Sequence, residues 1–272
     1  MLKLKPYPYN NFVCPECGSI DPLVSDIRFE SINVLAECMC ANCGFIFFHI
    51  LPAGHMVGRN LAIGKVNQKL YSDDECPDWL AKAVLKSHKG NRTNKLTIEK
   101  TVFKKYDDVI ILNTLDSLYG HVLLKLYNAF YHLDHQPELG LIIIIPKIFK
   151  WLIPPGCAEV WVVDLKLSEL EYSYDHLQKF VAEESSRFNK IYLSPAYSHP
   201  DISAIDMARL TGMPPFNLDK FNRRKPTITF ILREDRWWFS SLPDYWFYRI
   251  CRKVKTLTRG ANLLSLRQNR LV

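Results

Sequence analysis

Cysteines near the N-terminus have the spacing of a metal site. The chain has eight cysteines, and five of them come early: Cys14, Cys17, Cys38, Cys40 and Cys43. The C-x-x-C pairs 14/17 and 40/43 can each present two thiolates on one tight turn, and four thiolates complete a tetrahedral zinc shell. We therefore predict structural zinc held by Cys14, Cys17, Cys40 and Cys43, with Cys38 as an alternative to Cys40. A closed four-ligand shell stabilises folding and leaves no position for catalysis.

The residues around the two pairs complete a predicted zinc ribbon over residues 1–50. Strands are predicted at Ile32–Glu37 and Gly44–Ile50, and a glycine follows each pair, where a tight turn requires positive φ. Residues 1–50 carry three basic and five acidic side chains, so the ribbon has no basic stripe for nucleic acid. We expect it to have a docking or stabilising role.

Composition and sequence patterns exclude several classes of protein. Hydrophobic residues make up 48% of the 272 residues and charged residues 23%, so the chain can fold around a core. It has no GxGxxG or GxxxxGK[ST] arrangement, which excludes the common glycine-rich phosphate loops. The longest apolar stretch, Leu139–Gly156, contains two lysines and three prolines, and the N-terminus lacks a signal-peptide core. These features predict a cytoplasmic protein.

Positive charge is concentrated towards the C-terminus. The formal net charge is +7, and residues 223–272 carry twelve Lys or Arg against three acidic residues. Such a segment indicates an anionic partner, such as nucleotide phosphates, nucleic acid or an anionic membrane face. The acidic ribbon argues against nucleic acid, and peripheral contact with the inner membrane face stays open. A solvated basic helix is the alternative.

Strands and helices alternate through the middle of the chain. Apolar runs predict strands at 108–113, 141–145, 159–164 and 190–193. Helical periodicity predicts helices at 119–133, 148–153, 174–188 and 202–210. Four such β–α units predict an α/β fold, a Rossmann-like parallel sheet with helices on both faces.

These elements also predict the domain organisation. A connector with one helix, residues 51–104, joins the ribbon to a Rossmann-like domain at 105–212. Prolines and a run of charges mark a linker at 213–226. A strand at 227–232 and an amphipathic helix at 245–256 then begin a unit, 227–272, that is too short for a core of its own. We expect this unit to be the incomplete start of a second α/β domain.

Residues 113–239 resemble glycosyltransferases of the GT-B type, which have two Rossmann-like domains facing across a cleft. The resemblance is carried by LDSLYGH (Leu115–His121), IPPGCAEVWVVD (Ile153–Asp164), YLSPAYSHP (Tyr192–Pro200) and PTITFILREDRWW (Pro226–Trp238). It implies an acceptor-side domain at 105–212, the start of a donor-side domain at 227–272, a nucleotide-sugar donor, and a sugar or lipid-linked acceptor. Donor domains of this family continue well beyond this point. We therefore expect residues 1–272 alone to show no transferase turnover. The alternatives for the rest of the donor domain are that the chain is truncated or split, or that a second polypeptide completes the domain.

The resemblance places catalytic residues in the first of these passages. Asp116 and His121 flank Gly120 there, and either side chain can accept a proton from an acceptor hydroxyl. Gly120 lets a ligand approach the start of a helix, and His199 lies at the edge of the predicted cleft. The alternatives are a helix N-cap for Asp116 and a packed or surface histidine for His121.

Two arginines follow the predicted strand 227–232. Arg233 and Arg236 lie at its carboxyl end, where α/β folds bind ligands, and their guanidinium groups suit the diphosphate of a donor. The alternative is ion pairing of both arginines with Glu234 and Asp235.

Two other functions are consistent with the sequence. Glu159, Asp164 and Lys166 form an E-x₄-D-x-K pattern that resembles the core of restriction-like nucleases, in which two carboxylates hold Mg²⁺. No acidic partner stands on an earlier strand, which weighs against this reading. The other alternative is a non-catalytic docking subunit built on the zinc ribbon.

Overall fold

The structure is a computed structural model that describes residues 1–7, 12–20, 22–201, 203, 205–214, 217 and 219. The chain divides into two compact units, Met1–Met213 and Pro214–Val272. All elements described below belong to the first unit. The predicted strand 227–232, the predicted helix 245–256 and both candidate arginines lie outside the described residues.

The first unit combines two β-sheets with several helices. The strands are β1 (Leu2–Lys5), β2 (Leu23–Glu30), β3 (Asn33–Met39), β4 (Ile46–Ile50), β5 (Leu61–Gly64), β6 (Leu70–Ser72), β7 (Ile98–Val102), β8 (Asp108–Asn113), β9 (Gly140–Pro146), β10 (Glu159–Val163) and β11 (Lys190–Leu193). The α-helices are α1 (Asp78–Lys89), α2 (Tyr119–His135), α3 (Asp175–Ser185) and α4 (Met207–Thr211). Short 3₁₀ helices cover Gly54–Met56, Lys147–Leu152 and Leu167–Glu171. The predicted β–α alternation is confirmed, although the helix predicted at 148–153 is a 3₁₀ helix and α4 is shorter than expected.

The first sheet is mixed, which corrects the prediction of a parallel sheet. Its strand order is β1-β11-β8-β9-β10-β7. The four central strands are parallel, whereas β1 and β7 pair antiparallel at the two edges. The sequence of β7, IEKTV, is exposed after its first residue, as suits an edge strand, and such a short polar run gives little strand signal. The chain moves from β8 through β9 to β10 and then returns to the other side of β8, so a topological switch point lies between β8 and β11.

Alternate residues of the central strands enter two apolar clusters. Ile110 and Leu112 of β8 belong to the cluster that includes residues of α2. Val109 and Ile111 belong to the other, which includes residues of α3 and of the second sheet. Both faces of the central strands are therefore covered, which explains their continuous apolar sequences.

The second sheet is an antiparallel meander in the order β2-β3-β4-β5-β6. It extends past the predicted ribbon to Ser72, because β5 and β6 lie in the segment expected to be a connector. These two strands have only four and three residues, too few for a periodicity to stand out. Helix α1 packs against this sheet through Leu80, Ala81 and Val84.

None of the helices within the described residues is long and apolar enough to cross a membrane.

Candidate functional site

Four cysteine side chains meet where two tight turns come together. The Sγ atoms of Cys14 and Cys43 are 3.7 Å apart, and those of Cys17 and Cys40 are 3.6 Å apart. A tetrahedron with Zn–S bonds of about 2.3 Å has edges of about 3.8 Å. The four predicted ligands therefore lie close together, with a spacing that is compatible with a zinc site.

The two turns that carry these cysteines are built alike. The Gly18 N–H donates to the carbonyl of Cys14 and the Gly44 N–H to the carbonyl of Cys40, both at 2.9 Å. Both glycines have positive φ, 74° and 71°, which glycine adopts at little cost. Hydrogen bonds from the Ser19 N–H and the Asn42 side chain lower the pKa of Cys17 to about 6, whereas burial raises the pKa of Cys14.

The structure decides between Cys38 and Cys40 as the third member of the cluster. Cys38 lies within β3, fully buried in the core, and burial raises its pKa to about 12. Cys40 follows the strand and opens the second tight turn. Cys40 therefore belongs to the cluster, and Cys38 is a core residue.

A second group of polar side chains lies at the carboxyl ends of β8 and β11. The loop after β8 carries Asp116, and the segment after β11 carries His199. His55 comes from the short helix Gly54–Met56, and His121 from the first turn of α2. We call His55, Asp116, His121 and His199 the switch-point cluster. Clefts at switch points are where open α/β sheets bind their ligands.

The members of the switch-point cluster are in direct contact. Nε2 of His55 lies 3.1 Å from Nδ1 of His121 and 3.5 Å from Oδ2 of Asp116. Oδ1 of Asp116 lies 3.3 Å from Nδ1 of His121. The ring centre of His199 is 5.0 Å from that of His121 and 5.4 Å from that of His55. Asp116 is buried, while the three histidines are partly or fully exposed, so the cluster is open to solvent on its imidazole side.

Lys125 is a buried cation beside the cluster. Its Nζ lies 2.9 Å from Oδ2 of Asp116 and donates to the carbonyl of Leu115 at 2.9 Å. Burial lowers the pKa of Lys125, and the neighbouring carboxylate offsets part of this effect. Burial also opposes ionisation of Asp116, but the contact with His55 and the charge of Lys125 hold the pKa of Asp116 well below its usual range. Asp116 therefore stays ionised and is a poor proton acceptor.

Asp116 does not cap α2, so the N-cap alternative is wrong. The N-cap residue is Leu118, which makes no side-chain cap. Oδ1 of Asp116 instead accepts a hydrogen bond from the Leu118 N–H at 3.0 Å, which fixes the turn before the helix. Gly120 lies exposed in the first turn, with open space where a Cβ would stand.

A cavity of about 460 Å³ adjoins the switch-point cluster. Its walls include His55, Asp116 and His121 on one side and Trp79, Leu80, Val84 and Ser87 of α1 on another. The Trp79 side chain is 67% exposed and presents its ring to this cavity. The buried Ser87 Oγ has no hydrogen-bond partner in the described part of the chain. The cavity thus combines an apolar wall with a few polar groups, as small-molecule sites do.

The carboxylates of the nuclease pattern lie at opposite ends of β10. Glu159 begins the strand and Asp164 follows its last residue, which separates them by roughly 16 Å of extended chain. Glu159 is buried and pairs with Arg187, while Asp164 pairs with Lys147. The structure therefore does not bring these carboxylates together to hold a common metal ion.

Sequence reasoning found Asp116, His121 and His199 but missed His55 and Lys125. Lys125 stands at helical spacing from Val122 and Ala129, which are both buried. The sequence pattern therefore indicated a lysine on the apolar face of the helix. His55 lies in a turn-rich stretch without a motif, and only the fold, which sets the short helix Gly54–Met56 beside the first turn of α2, brings it to the site.

Comparisons with protein-family models, with curated proteins and with solved structures found no match for this chain.

Gly54 supports the site by leaving room for Lys125. Its φ is +62°, and an added Cβ would lie 3.0 Å from Cε of Lys125, 3.1 Å from its Nζ and 3.3 Å from Oγ of Ser198. Gly58 has a similar φ of +73° with nothing within 4 Å. We expect Gly58→Ala to cost about 1 kcal/mol of unfolding free energy, and Gly54→Ala to cost roughly 1–2 kcal/mol more because buried Lys125 must shift. Urea denaturation of the two variants measures the difference, and equal losses would contradict the contact.

Proposed function

We propose that this protein is a glycosyltransferase of the GT-B type that transfers a sugar from a nucleotide-sugar donor to a hydroxyl acceptor. The observation that carries the proposal is the meeting of Asp116, His121 and His199 beside a cavity at the switch point. These residues come from two of the passages on which the family resemblance rests. A switch-point cleft with a histidine held by a carboxylate is suited to binding and deprotonating a hydroxyl group.

His121 is the residue we assign as the proton acceptor. Asp116 contacts His121 at Nδ1, and within the described residues Nε2 of His121 has no hydrogen-bond partner. A base needs a free nitrogen within reach of its substrate, and a carboxylate at the other nitrogen orients the ring and stabilises the imidazolium that forms. Asp116 is then a positioning residue, and the partly exposed ring of His121 contacts the acceptor.

The cavity against α1 is the proposed acceptor site. The C–H face of a sugar ring packs well on an indole, and its hydroxyl groups seek carboxylates, hydroxyls and imidazoles. Trp79 supplies the aromatic surface. The polar groups in the same cavity come from Ser87, Glu171, His55, Asp116 and His121. Arg233 and Arg236 stay assigned to the donor diphosphate, as the family resemblance implies.

Zinc is the ion proposed for the four-cysteine cluster. Four thiolates at tetrahedral spacing fit Zn²⁺, which such a shell holds without an open position. The ion would join the turns at residues 14–18 and 40–44 and so stabilise one end of the second sheet. It would take no part in the transfer reaction.

Calorimetric titration of the full chain with GDP, UDP and ADP tests the donor side. One of the three is expected to bind, and Arg233→Ala is expected to weaken it roughly tenfold or more through loss of a phosphate contact. Arg59→Ala, outside the predicted donor strand, serves as the control. Binding of duplex DNA with Mg²⁺ and of none of the nucleotides would contradict the proposal.

A panel of methyl glycosides, followed by saturation-transfer NMR, tests the acceptor side without requiring turnover. Trp79→Ala is expected to weaken binding of the best glycoside roughly tenfold, whereas Trp151→Ala should leave it unchanged. The two tryptophans are equally exposed, at 67% and 68%, but only Trp79 lines the cavity. Equal effects of the two substitutions, or no glycoside binding at all, would contradict this assignment.

A further inference from the structure

Three potential metal ligands in the switch-point cluster have the mutual spacing of a coordination shell. Nε2 of His55 lies 3.1 Å from Nδ1 of His121 and 3.5 Å from Oδ2 of Asp116, while Nδ1 of His121 lies 3.3 Å from Oδ1 of the same carboxylate. Taken with one ligand atom from each residue, all three atoms lie within 4.8 Å of one another. A tetrahedron with Zn–N and Zn–O bonds of about 2.0–2.1 Å has edges of about 3.3 Å. The Sγ–Sγ distances of the four-cysteine cluster match the edge of a tetrahedral shell in the same way, and that edge is longer because Zn–S bonds are longer.

Hydrogen bonds alone do not satisfy these three contacts. A neutral imidazole has one N–H and one nitrogen with a free lone pair, and an ionised carboxylate only accepts. If Nε2 of His55 donates to His121, the lone pair on Nδ1 of His121 faces the carboxylate oxygen 3.3 Å away. If His121 donates instead, the lone pair of His55 faces the other oxygen at 3.5 Å. Either arrangement leaves an unprotonated nitrogen against an anionic oxygen, and if both rings donate to the carboxylate, their N–H groups oppose each other across 3.1 Å. A bound cation would relieve each of these conflicts.

The carboxylate of Asp116 also has unused capacity. Its Oδ2 is buried and lies near Lys125 and His55, yet it makes no aligned hydrogen bond within the described residues. A carboxylate oxygen can accept in two lone-pair directions, so Oδ2 can bind an ion and keep Lys125 as the cationic partner that orients it. Lys125 also donates to the Leu115 carbonyl. It can keep this hydrogen bond while its charge orients the carboxylate of Asp116 towards a bound ion.

His199 is available as a fourth ligand. Its ring centre lies 5.0 Å and 5.4 Å from those of His121 and His55, and its side chain is exposed. Two imidazoles and one carboxylate are a ligand set that zinc and other transition ions prefer, whereas Mg²⁺ prefers oxygen ligands throughout. His55, Asp116 and His121 together with His199 or a water would fill a tetrahedral shell.

We propose that His55, Asp116 and His121 form a second metal site, separate from the four cysteines, which binds a divalent transition ion such as Zn²⁺. Binding rests on the geometry of these residues and not on the proposed function. For the proposed function the bound ion is a regulator, because it occupies Nδ1 of His121 and binds the carboxylate that orients the His121 ring. Metal binding and proton acceptance then exclude each other, and zinc inhibits the site.

The test is the zinc content of the full chain after equilibrium dialysis against Zn²⁺, measured by mass spectrometry of the metal. The wild type is expected to hold one equivalent beyond that of the four-cysteine cluster, and excess Mg²⁺ should not displace it. His55→Ala and His121→Ala should each lose that equivalent and keep the first. His135→Ala, an exposed histidine at the end of α2, should keep both.

The retained first equivalent shows that the four-cysteine end of the second sheet is folded in each variant. A wild type that binds no second equivalent would overturn the proposal, as would a second equivalent that survives both His55→Ala and His121→Ala. Co²⁺ substitution gives a readout that needs no variant: the second ion should show tetrahedral d–d absorption without added thiolate-to-metal charge transfer. Added thiolate charge transfer would place it on cysteine instead. Loss of nucleotide and glycoside binding with an intact second equivalent would overturn only the proposed function.

Discussion

Replacing Cys40 with serine is expected to abolish zinc binding at the four-cysteine cluster and to cost several kcal/mol of unfolding free energy. The Sγ of Cys40 lies 3.6 Å from that of Cys17, so its removal opens the shell. Structural zinc sites bind their ion with roughly 10–16 kcal/mol in small domains, and that free energy is coupled to folding. The loss here should be on the order of 4 kcal/mol or more, less than the whole because the second sheet also has an apolar core.

Cys38→Ala is the matched control for this substitution. Cys38 stands two residues away and is equally buried, but its thiol contacts the carbonyl of Ala36 instead of the cluster. We expect it to keep the full zinc content and to lose only about 1–2 kcal/mol from the smaller side chain. Zinc content measured on the purified proteins, with urea denaturation for stability, separates the two. Loss of zinc in Cys38→Ala with retention in Cys40→Ser would reverse the ligand assignment.

The spacing of the cysteines predicted this cluster, but it did not decide between Cys38 and Cys40. That choice depends on where β3 ends. Strand alternation continues through Met39 and turns Cys38 into the core, after which the chain leaves the sheet and Cys40 begins the tight turn. The residue at which the strand ends and the turn begins is set by the pairing register of β3 with β4. The sequence alone does not specify that register.

The central strands of the first sheet were predictable because both of their faces are buried. A run such as that of β9, GLIIII followed by proline, is apolar throughout and is buried at every residue. The edge strands were not predictable, since β1 has four residues and β7 is polar. Their pairing partners are β11 and β10, which lie far along the chain. The extended conformation of β1 and β7 is therefore stabilised by pairing within the sheet and not by their local sequences.

The same limit applies to the switch-point cluster. Asp116 and His199 follow strands, and the rule that ligands bind at carboxyl ends of strands makes them candidates from sequence alone. His55 reaches them from the chain that precedes β5, more than sixty residues before His121, and no local pattern predicts such a contact. The sequence pattern does place the charge of Lys125 on the buried face of a helix. Only the structure shows that the carboxylate of Asp116 lies beside this charge and balances it.

Asp116→Asn is expected to destabilise the protein by about 3–5 kcal/mol, because it leaves the Lys125 ammonium group buried without a counter-ion. Lys125 is 1% exposed, and the only carboxylate within 4 Å of its Nζ in the described residues is that of Asp116. Asparagine keeps the shape of the side chain and the acceptor for the Leu118 N–H, so the loss reports the charge and not the turn. Urea denaturation with zinc at one equivalent measures the effect.

The double variant Asp116→Asn, Lys125→Met tests whether the stability of this site depends on the ion pair between Asp116 and Lys125 or on packing alone. Methionine fills the space of the lysine chain without a charge, and buried ion pairs replaced on both sides by uncharged groups often lose little stability. We therefore expect the double variant to recover most of the loss, to within about 1–2 kcal/mol of wild type, with a coupling energy of about 2 kcal/mol or more. A single variant that loses less than about 1 kcal/mol, or a double variant no better than the single, would contradict a charged Lys125. The recovered variant would also lack one ligand of the proposed second metal site, so its zinc content should fall by that equivalent while its fold is kept.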